Sequence, residues 1–335
     1  LASAPEPARI SLTVADPIYL YEYLLRSGVA LNSASQRRVF PGALLRVGAG
    51  YGCMHPWPEF GDLPLPEQLA RLAAGQPTPL AQAALRCAAI DGAARAAGVS
   101  LFDGLEIPAS HYSWSFAQPT MPQFDKLLAE GWPALKAKGY ANYGETTRFL
   151  EQCARLAGDG GPRFRVDFNG CLSADSFQKF VEFMPVRVYR QLDFVEDPFP
   201  YDAEAWQACR ERWGVRLALD KGWQDGEHGF DAVVVKPARR DWRTVAQRHP
   251  GQPLVLTSAM DHPLGQMFAA WEAAQARAEL GDLVGLCGLC TQHLFEPDAF
   301  LERVLSPGGR LQPDTDGGGL GFGSVLDKLP WRRLE

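Results

Sequence analysis

The segments Phe164-Arg-Val-Asp-Phe-Asn169, Leu192-Asp-Phe-Val-Glu-Asp-Pro198 and Val215-Arg-Leu-Ala-Leu-Asp220 share one pattern, a short apolar run that closes on an acid. Each run has the length and composition of a buried β-strand. The acids Asp167, Glu196 and Asp220 are separated by 29 residues (196 − 167) and 24 residues (220 − 196), about one strand plus one helix each. In a parallel sheet closed into a barrel, that spacing sets consecutive strand ends side by side. Three carboxylates gathered there repel one another unless a divalent cation lies among them. Hard oxygen donors around a small open site suit Mg²⁺.

Two lysine signals flank the acids. Lys136-Ala-Lys138 closes the preceding strand, and Lys236 ends the run Val233-Val-Val-Lys236. Residues two apart on a strand point to the same side, so Lys136 and Lys138 both face the barrel interior near its C-terminal mouth. Further out, strands are expected at 111–116, 134–138, 164–167, 192–196, 215–219, 232–236, 254–257 and 283–289. Helical segments such as 145–157, 173–184, 202–213 and 262–280 lie between them. Residues 108–309 therefore read as a (β/α)8 barrel, with the last helix open to modification. A doubly wound open sheet is less suitable, because the Gly-rich turn after its first strand is missing.

Residues 1–107 read as an α+β capping domain: strands within 8–50, a Gly- and Pro-punctuated loop over 51–66 bearing His55 and Trp57, and helices near 66–74 and 79–98. Arg37 and Arg38 in this region are candidates for a substrate carboxylate or for plain surface charge. The Gly-rich tail, Asp314-Thr-Asp-Gly-Gly-Gly-Leu-Gly-Phe-Gly323, is expected to fold residues 310–335 back onto the cap rather than to cradle a phosphate.

Composition excludes several classes. With 335 residues, 46% hydrophobic and 21% charged, the chain is ordinary for a soluble globular protein. A formal net charge of −6 leaves no basic footprint for nucleic acid. No apolar run approaches the ~20 residues that span a bilayer, and no export signal is visible at Leu1, so a cytoplasmic protein is expected. The seven cysteines form no framework and read as free thiols. Cys287 and Cys290 lack a second pair with which to build a zinc site.

The order Lys-x-Lys, Asp, Glu, Asp, Lys on five successive strand ends resembles the enolase superfamily, in its lysine-based, muconate-lactonizing-enzyme-like branch. Within it the chain looks most like the o-succinylbenzoate synthase family. The carrying segments include Val-Asp-Phe-Asn-Gly, Val-Glu-Asp-Pro-Phe, Val-Val-Lys-Pro and Thr257-Ser-Ala-Met-Asp-His-Pro-Leu-Gly265. The resemblance implies Mg²⁺, or Mn²⁺ in its place, on Asp167, Glu196 and Asp220. It makes Lys138 the base and Lys236 the opposing cation, and it implies that Lys136, Asn169 and Ser258 contact a small-molecule carboxylate. The implied reaction is syn elimination of water to give 2-succinylbenzoate in menaquinone biosynthesis. Racemisation of N-acylamino acids or epimerisation of dipeptides is the alternative, and a non-catalytic binding barrel is a third reading. Dipeptide epimerases usually carry Asp-x-Asp near the eighth strand, which the Gly285–Thr291 segment lacks. Monomer and homo-oligomer both remain open. Two departures stand out: Asp220 is followed by Lys221 where relatives often have Glu, and the capping loop reads Gly50-Tyr-Gly-Cys53.

Overall fold

A computed structural model of the chain describes residues 16–31, 35–114, 121–222 and 227–335. The buried runs read from the sequence form a parallel sheet in strict chain order: β4 (Tyr112–Trp114), β5 (Ala134–Lys138), β6 (Arg163–Asp167), β7 (Leu192–Glu196), β8 (Leu217–Leu219), β9 (Ala232–Val235) and β10 (Leu254–Leu256). Helices α3 (Met121–Ala129), α4 (Tyr143–Ala157), α5 (Ala174–Glu182), α7 (Ala203–Trp213), α8 (Trp242–Arg248) and α9 (Pro263–Leu280) cross between strands. Strands such as Ala232–Val235 are buried throughout, the signature of a sheet covered on both faces.

The eighth strand differs from its expectation. Residues 283–289 form no regular strand; the segment is joined to its neighbours by single bridges, Leu254 to Val284, Thr257 to Gly288 and Ser110 to Cys287. The last bridge returns to the chain just before β4 and closes the ring. Gly288 explains the irregularity: a Cβ there would meet His111 and Thr257 within 2.8 Å, so backbone approaches where a side chain would stand. Short 3₁₀ turns follow this segment in place of a full helix. Among the described residues no helix links β8 to β9, and a short α6 (Val186–Gln191) appears that the periodicity did not suggest. Residues 8–15 and 32–34 of the expected strand region 8–50, and 115–116 of the first barrel strand, lie outside the described residues.

The second layer is an antiparallel sheet, β11 (Arg332–Arg333), β1 (Ile18–Arg26), β2 (Val39–Val47) and β3 (Gly50–Met54), backed by α1 (Leu65–Ala73) and α2 (Pro79–Ala97). Here a sequence expectation fails: the start of the 51–66 loop is strand β3. Its glycines are not turn residues. A Cβ on Gly50 or Gly52 would fall within about 2 Å of the Ala88 or Ala84 carbonyl oxygen, so both positions let α2 lie directly on the sheet. Thr78 caps α2 by accepting from Ala81 N–H at 3.2 Å, and Gly98 ends it in a left-handed conformation, φ 69°. The glycine-rich tail packs against α2: Arg95 donates to the Gly317 and Gly321 carbonyls at 3.0 and 2.6 Å, and Asp91 accepts from Leu320 N–H at 2.7 Å.

Helix α9 joins the layers. It is buried nearly all round, as an Ala-rich helix between two packed bodies must be. Its Glu272 accepts from Trp242 Nε1 at 2.7 Å and pairs with Arg86 of α2 at 2.5 Å. No helix of the described residues is long and apolar enough to cross a membrane.

Candidate active site

Strand register builds the site. Lys138 pairs with Asp167 across β5 and β6, and Asp167 with Glu196 across β6 and β7. Asp220 follows β8 directly and Lys236 follows β9. All five side chains line one cavity of about 510 Å³ at the C-terminal mouth of the barrel, together with Lys136, Asn169 and Ser258. These eight residues thus reach the same space.

The charges are closely paired. Lys136 Nζ lies 2.7 Å from both Glu196 oxygens and 3.1 Å from Asp167 Oδ2. Lys138 Nζ lies 2.5 Å from Asp167 Oδ2, and Lys236 Nζ lies 2.5 Å from Asp220 Oδ1. Burial alone would raise the Asp167 carboxyl, but the Lys136 and Lys138 ammoniums outweigh it and hold it well below the usual carboxylate range. Asp220 is lowered in the same way by Lys236. Glu196 is raised by burial and by Asp167, against the pull of Lys136. The lysines separate: Lys136 is raised, because Asp167 and Glu196 overcome its burial, whereas Lys138 is lowered, by burial above all and further by Lys136.

Among the described residues no three acids, histidines or cysteines stand gathered as a ready cation cage; lysines hold the carboxylates instead. The donor set nevertheless fits a hard divalent cation. It is all oxygen, it is buried, and one cation, the Lys136 ammonium, already spans two of its members. Neighbouring Asp197 shapes the rim: its Oδ1 accepts from the Asp220 and Lys221 N–H groups at 3.1 and 3.4 Å. Asp197 and Asn169 both adopt left-handed backbone (φ 41° and 52°), which Asp and Asn tolerate best.

Several residues at the site were not singled out in the sequence. Arg165, on the same face of β6 as Asp167, is buried below the mouth; it donates to Asp193 Oδ2 at 2.8 Å and lies 2.9 Å from His111 Nδ1. Burial and Arg165 keep His111 neutral, so that nitrogen accepts. The two-residue alternation that placed Lys136 inside places Arg165 inside as well. Thr291, 2.7 Å from Ser258 Oγ, had no such signal. Ser258 is not a helix cap, since His262 caps α9.

The capping loop covers the mouth through Trp57, which lines the cavity and donates from Nε1 to the Ala259 carbonyl at 2.9 Å. Asp62 accepts from both terminal nitrogens of Arg239 at 2.6 Å, a second strap from loop to barrel. His55 sits behind the loop on Tyr23, outside the cavity lining. Arg37 is taken up by Glu59 (2.8 and 2.9 Å), and Arg38 is exposed.

A parallel barrel with this row at its mouth and an antiparallel cap over it defines the enolase superfamily, and solved structures agree on the fold. A mandelate racemase/muconate lactonizing protein from Herpetosiphon aurantiacus superposes with TM-score 0.71 at 17% identity, covering 91% of this chain and 96% of that one. A dipeptide epimerase from Cytophaga hutchinsonii, complexed with Mg and the dipeptide D-Ala-L-Val, gives 0.73 at 15% identity over 95% and 99%. Residues 18–94 match the family model for the o-succinylbenzoate synthase N-terminal domain. An o-succinylbenzoate synthase from Bdellovibrio bacteriovorus is 33% identical over 327 residues, 93% of this chain and 97% of that protein. The chain belongs to the o-succinylbenzoate synthase family.

Proposed function

We propose that the protein dehydrates 2-succinyl-6-hydroxy-2,4-cyclohexadiene-1-carboxylate to 2-succinylbenzoate, a step of menaquinone biosynthesis. The observation that carries the chemistry is the placement of Lys138 and Lys236. They end the second and sixth of eight strand positions, opposite one another, with Asp167, Glu196 and Asp220 on the strands between. The substrate is supported by the 33% identity to the Bdellovibrio synthase.

Asp167, Glu196 and Asp220 would hold a Mg²⁺, or Mn²⁺ in its place, which would supply Lewis-acid stabilisation of charge on the substrate carboxylate. Lys138 must act as a neutral amine, and its burial beside Lys136 favours that form. It takes the proton α to the carboxylate. The ammonium so formed gives its proton to the β-hydroxyl, which leaves as water on the same face while the carbon–carbon double bond forms and the ring becomes aromatic. Lys236 stays cationic and faces the charge that builds on the carboxylate. Lys136 keeps Asp167 ionised, and Asn169 and Ser258 orient the ring substituents. Trp57 and the loop it anchors exclude water.

The test is loss of the diene ultraviolet absorbance with purified protein in Mg²⁺ and in EDTA. Metal-dependent turnover supports the dehydratase; a metal-loaded protein without turnover overturns it. Opposed lysines also suit racemisation of N-acylamino acids, which α-proton exchange in D₂O followed by NMR reports directly.

A further inference from the structure

Four lysines line the cavity, and three of them meet carboxylates: Lys136 with Glu196, Lys138 with Asp167, Lys236 with Asp220. Lys221 does not. Its Nζ donates to the neutral Asn169 Oδ1 at 2.6 Å and lies 5.0 Å from the centre of the Phe60 ring. Among the described residues no carboxylate comes within ion-pair distance of it, and its charge reaches Asp167 only through space.

Three lysines meet the three acids and Arg239 of the lining is paired with Asp62, so Lys221 adds to the cavity a positive charge that the acid row does not take up and that a bound divalent cation would enlarge. A half-buried ammonium left without an anion is unfavourable. Lys221 is nonetheless held in place, by an amide oxygen from the barrel and an aromatic face from the capping loop. Such a preset cation suits an anionic group arriving with the ligand, since little side-chain freedom is lost on contact. It equally opposes any ligand that carries an ammonium into the cavity.

We propose that Lys221 binds a second carboxylate of the substrate, distinct from the one that meets the acid row, and so restricts the site to dicarboxylates. The proposal rests on the dehydratase reading for the first carboxylate and adds the determinant for the second.

Calorimetric titration of the Mg²⁺-supplemented protein tests it with two ligands: 2-succinylbenzoate and the analogue whose side-chain carboxylate is replaced by a primary amide. Lys221→Gln should weaken the dicarboxylate at least about tenfold while changing the amide by less than about twofold. Lys221→Arg should keep most of the wild-type preference, and Lys221→Met gives the same contrast if the Gln variant does not fold. Equal weakening of both ligands, or unchanged binding of the dicarboxylate, overturns the assignment while the dehydratase reading stands. Wild-type protein that binds neither ligand overturns both.

Discussion

The barrel mouth and the seam between cap and barrel bury ionisable groups to a similar degree and treat them in opposite ways. At the mouth, Asp167, Glu196 and Asp220 each touch a lysine ammonium. At the seam, Tyr23 and His55 of the cap share a hydrogen bond of 2.9 Å, and the Tyr23 hydroxyl also lies 3.3 Å from Cys53 Sγ. Asp261 and His262 meet them from the start of α9, the Tyr23 and His262 rings 4.6 Å apart. Among the described residues Asp261 Oδ1 and His55 Nε2 find no hydrogen-bond partner. Without an opposite charge in contact, burial decides: Asp261 is pushed up to about 7, and His55 and His262 down to about 3. The mouth keeps its charges, whereas the seam favours neutral groups at and below neutral pH.

The largest effect should come from removing the proposed base. Lys138→Ala is expected to lower dehydration by at least ~10²–10⁴-fold at unchanged fold, read by the ultraviolet assay with circular dichroism as control. Residual turnover within tenfold of wild type would take Lys138 out of that role. Next, Lys136→Met leaves Glu196 and Asp167 buried with one cation fewer. Urea unfolding should show a loss of ~3–5 kcal/mol, part of which returns on adding Mg²⁺ if the carboxylates hold the metal. A loss insensitive to Mg²⁺ would count against that site.

The seam should respond to pH instead. The folded Asp261 carboxyl lies above its unfolded value of about 3.9. Its contribution is therefore fully present below pH ~4 and is lost as pH rises to about 7. Asp261→Asn should remove that fall, so that the variant gains a few kcal/mol on wild type between pH 4 and pH 8 in denaturant titrations. Parallel curves for the two proteins would show that the seam does not sense pH through Asp261. The smallest change is expected from Tyr23→Phe, which deletes one hydroxyl facing His55 and Cys53 and should cost about 1 kcal/mol in urea unfolding.

The mouth was legible in the sequence because its chemistry follows from local rules. Alternation places Lys136 and Lys138 inside, and each acid closes an apolar run whose length fixes a strand end. Strand β5 and strand β7 start and stop at the expected residues. The eighth strand was not legible: its Gly288 yields to His111 and Thr257, neighbours remote in sequence. Strand β3 was misread for the same kind of reason, since Gly50 and Gly52 look like turn residues until α2 lies against them.

The sequence by itself determined the parallel barrel, the cap before it, and the row Lys136, Lys138, Asp167, Glu196, Asp220 and Lys236, because periodicity and strand-end position need no knowledge of distant neighbours; its motifs carried the resemblance to the family. Only the tertiary structure decided which lysine meets which acid, that Lys221 meets none among the described residues, that Trp57 is tied to Ala259, and that Asp261 faces Cys53 across the seam. Those pairings join residues remote in sequence; Trp57 and Ala259 are 202 positions apart. Their energies depend on burial and on the charge that packing brings alongside, and neither is carried by any single stretch of chain.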